Sequence, residues 1–250
     1  MIIELDNICF SYEKGKPVLN NLCFSLPKGE KLGLIGYNGS GKTTLMHIIM
    51  GLLKPSSGTI RVLGKQIETK KDLVAVRRTI GFLFQNADDQ LFCPTVLEDV
   101  AFGPLNLGKS PKEARIMAME TLEKLNLKGF EDRITHKLSG GEKKLVSLAT
   151  VLVMQPKALL LDEPTTGLDE DARFRIESLL NRLAISTIIV SHEYDFLAAT
   201  TQKIYSMEAG QIRFNGDTSI VHDHHHRHLQ ARHPHQHDPS DSENARINEN

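Results

Sequence analysis

The chain has 250 residues, 40% of them apolar and 24% charged, and its 30 basic side chains almost cancel 31 acidic ones. That balance is ordinary for a globular protein and gives no electrostatic case for a nucleic-acid partner or an anionic membrane surface. The longest uncharged, mostly apolar run, Leu145–Met154, is about half a membrane span, and no secretory signal is expected in a start that carries Glu4 and Asp6 without a basic region.

In chain order, Ile3, Leu5, Ile8 and Phe10 alternate loosely across Met1–Tyr12, as in a strand. Gly15, Pro17 and Asn20–Asn21 mark a turn, and Leu22–Leu26 is the expected return strand. Lys31–Ile35 is a short apolar strand that runs into a glycine-rich loop. Thr43–Leu53 then has helical spacing through Leu45, Ile48, Ile49 and Leu52. Gly58–Leu63 and Ile80–Phe84 read as further strands. From about residue 87 to 155 the character changes. Ser110, Pro111 and Glu113 form an N-cap, a first-turn proline and a capping-box glutamate, and Ala114, Ala118, Leu122 and Leu125 line one helix face. Gly141–Met154 is apolar around most of its circumference, so it is expected to be a buried helix. Strand signals resume at Ala158–Leu161, Thr187–Val190 and Lys203–Met207, with a helix over Asp169–Leu183. Gln211–Phe214 ends in Asn215–Gly216, which predicts an edge hairpin.

Three segments carry chemistry. Gly36, Tyr37, Asn38, Gly39, Ser40, Gly41, Lys42 and Thr43 fit G-x-x-x-x-G-K-[ST] between a strand and a helix. Glycines let backbone N–H groups turn toward phosphate oxygens, and the helix N-terminus adds partial positive charge. Lys42 would reach the β- and γ-phosphates, the Thr43 hydroxyl would ligate Mg²⁺, and Thr44 completes the loop's end. About 120 residues later, Leu159–Leu161 leads into Asp162 and Glu163, followed by Pro164. Alternation along a strand would point the two carboxylates to opposite faces, but a turn at the strand end can bring both to one site. Asp162 is the candidate Mg²⁺ ligand and Glu163 the candidate base for an attacking water. Between them lies Leu138-Ser139-Gly140-Gly141-Glu142. Ser139 and Glu142 form a capping box, yet two glycines in a first helical turn are poor helix formers. They make sense where bare N–H groups must approach an anion. The chain thus offers two anion-binding helix ends, at Gly41 and Gly140, which a dimer could bring to one phosphate.

These residues resemble the ATP-binding subunit of an ABC transporter over about residues 1 to 220. In that family Gly36–Thr43 is Walker A, Leu159–Asp162 is Walker B, and Leu138–Glu142 is the signature. By the same resemblance Tyr12 stacks on adenine, Gln85 senses Mg²⁺ and the transporter, Asp169 lies in the D-loop, and His192 contacts the γ-phosphate. The implied fold is α/β: a P-loop NTPase (RecA-like) core over residues 1–221 with an N-terminal antiparallel β subdomain and an inserted helical subdomain at about 87–155. The implied reaction is ATP hydrolysis, with ATP and Mg²⁺ as cofactors. Two ATPs are sandwiched between head-to-tail protomers, either a homodimer or a pair with a related ATPase. Each site takes Lys42, Thr43, Asp162 and Glu163 from one chain and Ser139–Gly141 from the other. There are two departures from the family: Glu142 stands where glutamine is more usual, and Lys143–Lys144 follow where an arginine is often nearby.

Asn86–Gly108 looks like energy-coupling-factor importers, especially their cobalt and nickel branch. That resemblance implies a transmembrane coupling protein, a substrate-binding membrane component, and a peripheral position on the cytoplasmic face of the cell membrane. A vitamin-type importer is the alternative. A nickel metallochaperone GTPase is disfavoured because the chain has no N-K-x-D motif, and a transporter-free ABC ATPase because it has neither a second cassette nor a coiled-coil insertion.

Eight of the 11 histidines, His222, His224, His225, His226, His228, His233, His235 and His237, crowd the end of the chain. Imidazole suits Ni²⁺, Co²⁺ and Zn²⁺, so residues 222–250 are a candidate metal-binding tail. Their polar composition cannot offset ordering entropy, and disorder is expected there. A solvated tail without a ligand is the plainer reading. His47 and His136 are expected to be structural or surface residues. Cys9, Cys23 and Cys93 are too scattered for a disulfide framework or a zinc ribbon, and the odd count fits a reducing compartment.

Overall fold

In the computed structural model, residues 1–13 and 15–218 are described. The histidine-rich tail over 222–250, its eight candidate ligands and the domain limit at 221 lie outside the described residues. Strands β1 (Ile3–Phe10) and β2 (Leu19–Leu26) pair antiparallel, with β4 (Ser57–Val62) on the other side of β1 and the short β5 (Lys65–Gln66) at the edge. This is the expected N-terminal antiparallel layer.

The second sheet has six strands in the order β10-β9-β3-β8-β7-β6. Its members are β3 (Lys31–Ile35), β6 (Ile80–Leu83), β7 (Ala158–Asp162), β8 (Ser186–Val190), β9 (Lys203–Glu208) and β10 (Gln211–Asp217). All but β10 run parallel. Every residue of β3, β6, β7 and β8 is buried, which explains why they read as unbroken apolar runs rather than alternating ones. Successive side chains still point to opposite faces. Leu159, Leu161 and Ile189 join one core, with the helical segment, and Ala158, Leu160, Ile188 and Val190 join another, between the two sheets.

The expected hairpin needs correction. The β9–β10 turn is at Ala209–Gly210, and β10 continues through Asn215–Gly216 to Asp217. The pairing register shifts between Phe214 and Gly216, so the Asn-Gly pair makes a bulge instead of a turn. Asn215 is held there by the hydroxyl of Ser206, which donates to its Oδ1 at 2.9 Å.

Helix α1 (Lys42–Ile49) follows β3 and packs between the sheets through Leu45, Met46, Ile48 and Ile49. Helix α2 (Lys70–Thr79) precedes β6. The helical segment holds α3 (Val96–Asn106), α4 (Pro111–Lys124) and α5 (Gly140–Leu152). Ala114, Ala118 and Leu122 of α4 meet Leu145, Leu148 and Ala149 of α5 in one fully apolar cluster. Helices α6 (Glu170–Arg182) and α7 (Tyr194–Thr200) complete the layer on that face. Among the described residues no helix is long and apolar enough to cross a membrane.

Candidate active site

Four adjacent parallel strands end on the same edge of the large sheet, where α/β proteins place their ligands. β3 runs into the Gly36–Thr43 loop, β6 into Gln85, β7 ends at Asp162, and β8 runs into Ser191–His192. Thus residues spread over the whole sequence meet because their strands are neighbours.

The loop is tightly seated. A Cβ on Gly36 would lie 2.5 Å from the Met207 carbonyl oxygen and 2.8 Å from Ser40 Oγ, so only glycine fits. Asn38 and Gly39 form the exposed tip. Ser40 Oγ is buried without a hydrogen-bond partner. Lys42 is buried, and its ammonium donates to the carbonyls of Gly36 and Tyr37 at 2.7 and 3.0 Å. Burial pushes its pKa down, while Glu163 and then Asp162 pull it back up. Thr43 Oγ1 donates to Asp162 Oδ2 at 2.7 Å and so joins the loop to β7 across 119 residues. Thr44 is buried beside it, 3.2 Å from the Tyr12 hydroxyl. The Tyr12 ring is exposed and stands edge-on to Phe10.

Asp162 and Glu163 are both buried. Glu163 has φ 48°, a left-handed conformation that few non-glycine residues adopt. Its N–H donates to the Val190 carbonyl, and its Oε2 accepts from the Thr166 hydroxyl at 3.0 Å. Its Oε1 makes no hydrogen bond and lies 3.3 Å from Nε2 of the half-exposed His192. The neighbouring Glu193 accepts from Thr165 Oγ1 at 2.9 Å and pairs with Arg173 at 3.1 Å, which ties the His192 turn to the segment after Glu163.

Two expected participants make helix caps in this chain. Ser139 caps α5: its Oγ accepts from the Glu142 N–H, and Glu142 Oε2 accepts from the Ser139 N–H at 2.9 Å. Asp169 caps α6 by accepting from the Ala172 N–H at 2.8 Å. Gly140 is exposed. Gly141 has a packing reason that its sequence context did not reveal, because a Cβ there would lie 2.6 Å from that of Ala172.

Lys144, in sequence only a departure from the family pattern, has a place in the fold. It is 3% exposed, and its ammonium donates to the carbonyls of Phe84 and Gln85 at 3.1 and 2.7 Å. Burial pushes it down to about 8, against the pull of Asp162 and Glu163. The one available signal was a lysine inside an otherwise apolar helix. Gln85 itself is exposed. Cys9, Cys23 and Cys93 are free thiols. His136 is exposed, and His47 packs edge-on against Phe82.

Lys42, the loop N–H groups and the α1 N-terminus suit a polyphosphate. Thr43 and Asp162 offer hard oxygen ligands. Among the described residues no cluster of three or more His, Cys, Asp or Glu could hold a metal by itself. Mg²⁺ takes one or two protein ligands and fills its shell with water and phosphate.

The ABC transporter family model matches residues 19–166. A protein of Nitratidesulfovibrio vulgaris, described as an ABC transporter ATP-binding protein, is 54% identical over 89% of this chain and 82% of its own length. The energy-coupling factor transporter ATP-binding protein EcfA of Methanothermobacter thermautotrophicus is 42% identical over 86% of this chain and 70% of its own. Among solved structures, cbiO1 from Clostridium perfringens, part of the ABC transporter complex cbiONQ, superposes with a TM-score of 0.81 at 34% identity, covering 90% of this chain and 95% of that one. The ATP-binding cassette MJ0796, a post-hydrolysis dimer bound to ADP and Pi, superposes at 0.77 with 28% identity, covering 85% and 97%.

Proposed function

This chain belongs to the ABC transporter family, and from that premise we propose that it powers an energy-coupling-factor importer whose cargo is a transition-metal ion, nickel or cobalt. Its activity is that of its family: ATP hydrolysis coupled to transport. The single observation that carries the catalytic reading is the Thr43–Asp162 hydrogen bond, which closes two motifs into one site.

In this reading Lys42 and the loop N–H groups bind the β- and γ-phosphates of ATP, and Tyr12 stacks on adenine. Thr43, Asp162 and Gln85 hold Mg²⁺, which neutralises developing charge when bound. Glu163 accepts a proton from the attacking water, a role that its buried Oε1, free of hydrogen bonds, supports. His192 holds the γ-phosphate. Ser139, Gly140 and Gly141 serve the partner's nucleotide, a role that the exposed Ser139–Gly140 helix end supports, and Asp169 works at the same contact. The Ser139 oxygen already accepts from the Glu142 N–H, so its proton is left to donate to phosphate. A homodimer, or a pair with a related ATPase, supplies the second half.

The membrane partner docks beside β6. A groove of about 430 Å³ opens there, lined by Phe82, Phe84, Phe92, Phe102, Arg77 and Asp99. Phe92 and Phe102 stack edge-on at 4.8 Å and are exposed. The chain would then sit on the cytoplasmic face of the cell membrane. The metal cargo is supported by the cobalt–nickel character of Asn86–Gly108 and by the likeness to cbiO1. The test is ATP hydrolysis by the complex reconstituted in liposomes. Ni²⁺ or Co²⁺ should be taken up and should stimulate turnover, whereas stimulation by a vitamin alone would overturn the metal reading. Glu163→Gln should abolish turnover but leave an ATP-stabilised dimer, and Lys42→Ala should lose nucleotide binding.

A further inference from the structure

Helix α5 is fastened to the loop after β6 by three side chains, Lys143 and Lys144 of the helix and Gln90 of the loop. Lys143 pairs with Asp88 at 2.6 Å. Lys144 donates to the Phe84 and Gln85 carbonyls at 3.1 and 2.7 Å. Gln90 donates to the Ser147 carbonyl and the Thr150 hydroxyl at 2.9 and 2.8 Å, while its own oxygen accepts from the Phe84 N–H. The Lys143 pair is partly solvated and contributes little. Lys144 is different. A buried ammonium is costly to desolvate, and an apolar side chain would suit neighbours such as Leu145, Val146 and Leu148 better. What the cation does is fix two carbonyls just beyond the end of β6, where no strand ladder holds them. One of these belongs to Gln85.

We propose that Lys144, backed by Gln90, is a positioning residue that locks the signature helix to the Gln85 loop, so that a protomer's own nucleotide site and the helix end it lends to its partner shift as one body. The proposal rests on the site reading above. Gln85 serves the nucleotide of its own chain, and Ser139, at the start of the same α5, serves the nucleotide of the other. A ligand that moves the Gln85 backbone therefore moves Ser139, and the linkage is reciprocal.

The test uses the full-length chain in the Glu163→Gln background, with ATP affinity measured on dilute monomer and ATP-dependent dimerisation by light scattering. Adding Lys144→Met should leave monomer affinity within about twofold and weaken dimerisation about tenfold or more, because misplacing a remote group is enough to lose such contacts. Lys144→Gln, which keeps a hydrogen-bond donor, should restore most of it. In a chain with Glu163 intact, Lys144→Met should lower kcat in parallel without raising the monomer Kd for ATP. Dimerisation unchanged by Lys144→Met overturns the proposal, as does an equal loss of monomer affinity with no rescue by glutamine. If Lys144→Met does not fold, Gln90→Leu should give the same split between affinity and dimerisation, and wild-type behaviour there also overturns the proposal. Failure of Glu163→Gln alone to dimerise with ATP would take down the site reading and this proposal with it. An intact dimer insensitive to Lys144 takes down this proposal only.

Discussion

Glu163 sits in a left-handed backbone conformation directly after the last residue of β7. Strand alternation alone would have separated the two carboxylates, yet both act on the Lys42 and Lys144 ammonium groups. Strain of this kind, on the order of 1–3 kcal/mol, persists where surrounding contacts enforce it, here the Val190 carbonyl and Thr166. Another residue explains a family departure. Glu142 accepts from the Ser139 N–H with one oxygen and from Arg133 at 2.7 Å with the other. The Ser139 N–H, then its own burial and Arg133, act on this carboxyl with a net downward shift in pKa. Glu142→Gln should preserve turnover, because Ser139 and the glycine N–H groups are untouched. It should cost only about 0.5–1 kcal/mol of stability, the value of a surface ion pair, as checked by urea denaturation. At this scale Lys42, Thr43 and Asp162 were legible because their motifs are linear. Lys144 and Glu193 were not, since each is defined by partners that only the folded chain brings near.

At the scale of elements, four helices begin with a complete capping box: Thr69/Asp72, Thr95/Glu98, Ser110/Glu113 and Ser139/Glu142. The last two were legible because an apolar helical face follows each. Helix α2 buries only Asp72 and Val76, and α3 carries Gly103 and Pro104 near its end, so neither projects a clear periodicity. The same S/T-x-x-D/E signal stood at both, without the pattern that makes it convincing. Thr69→Ala should destabilise the protein by about 1 kcal/mol, the usual worth of an N-cap. Asp72 allows a sharper test. Lys65 and then Thr69 hold its folded-state pKa far below the ordinary carboxylate range. Its stabilisation is therefore complete above the unfolded value of about 4 and fades as pH falls toward the folded one. The difference in Tm between wild type and Asp72→Asn should stay constant from neutral pH to about that value and shrink below it. A gap that widened in acid would contradict the assignment.

For the molecule as a whole, the large sheet divides two cores and lines up the ends of four parallel strands along one edge. The parallel strands and the inserted helical segment were legible from apolar runs and composition. The β10 bulge was not, because Asn-Gly supplies positive φ equally well to a turn or to a bulge, and only pairing with β9 decides. Two predictions belong to this scale. Phe92→Asp with Phe102→Asp should lower recovery of the membrane component with the tagged chain about tenfold or more, since apolar anchors dominate such contacts. Deletion of residues 222–250 should lower the metal stoichiometry measured by titration, and equal stoichiometry in both chains would discard the tail as a ligand. The Lys42 contacts with Gly36 and Tyr37 bear on which solutes this molecule admits. The ammonium is already latched to two neutral oxygens, so a visitor must outcompete them before it is gripped. An anionic phosphate oxygen adds a full charge–charge attraction to the ammonium, where the carbonyls offer only dipoles, so a triphosphate lifts the latch. Adenosine, uncharged, should leave it shut, however well its base matches Tyr12.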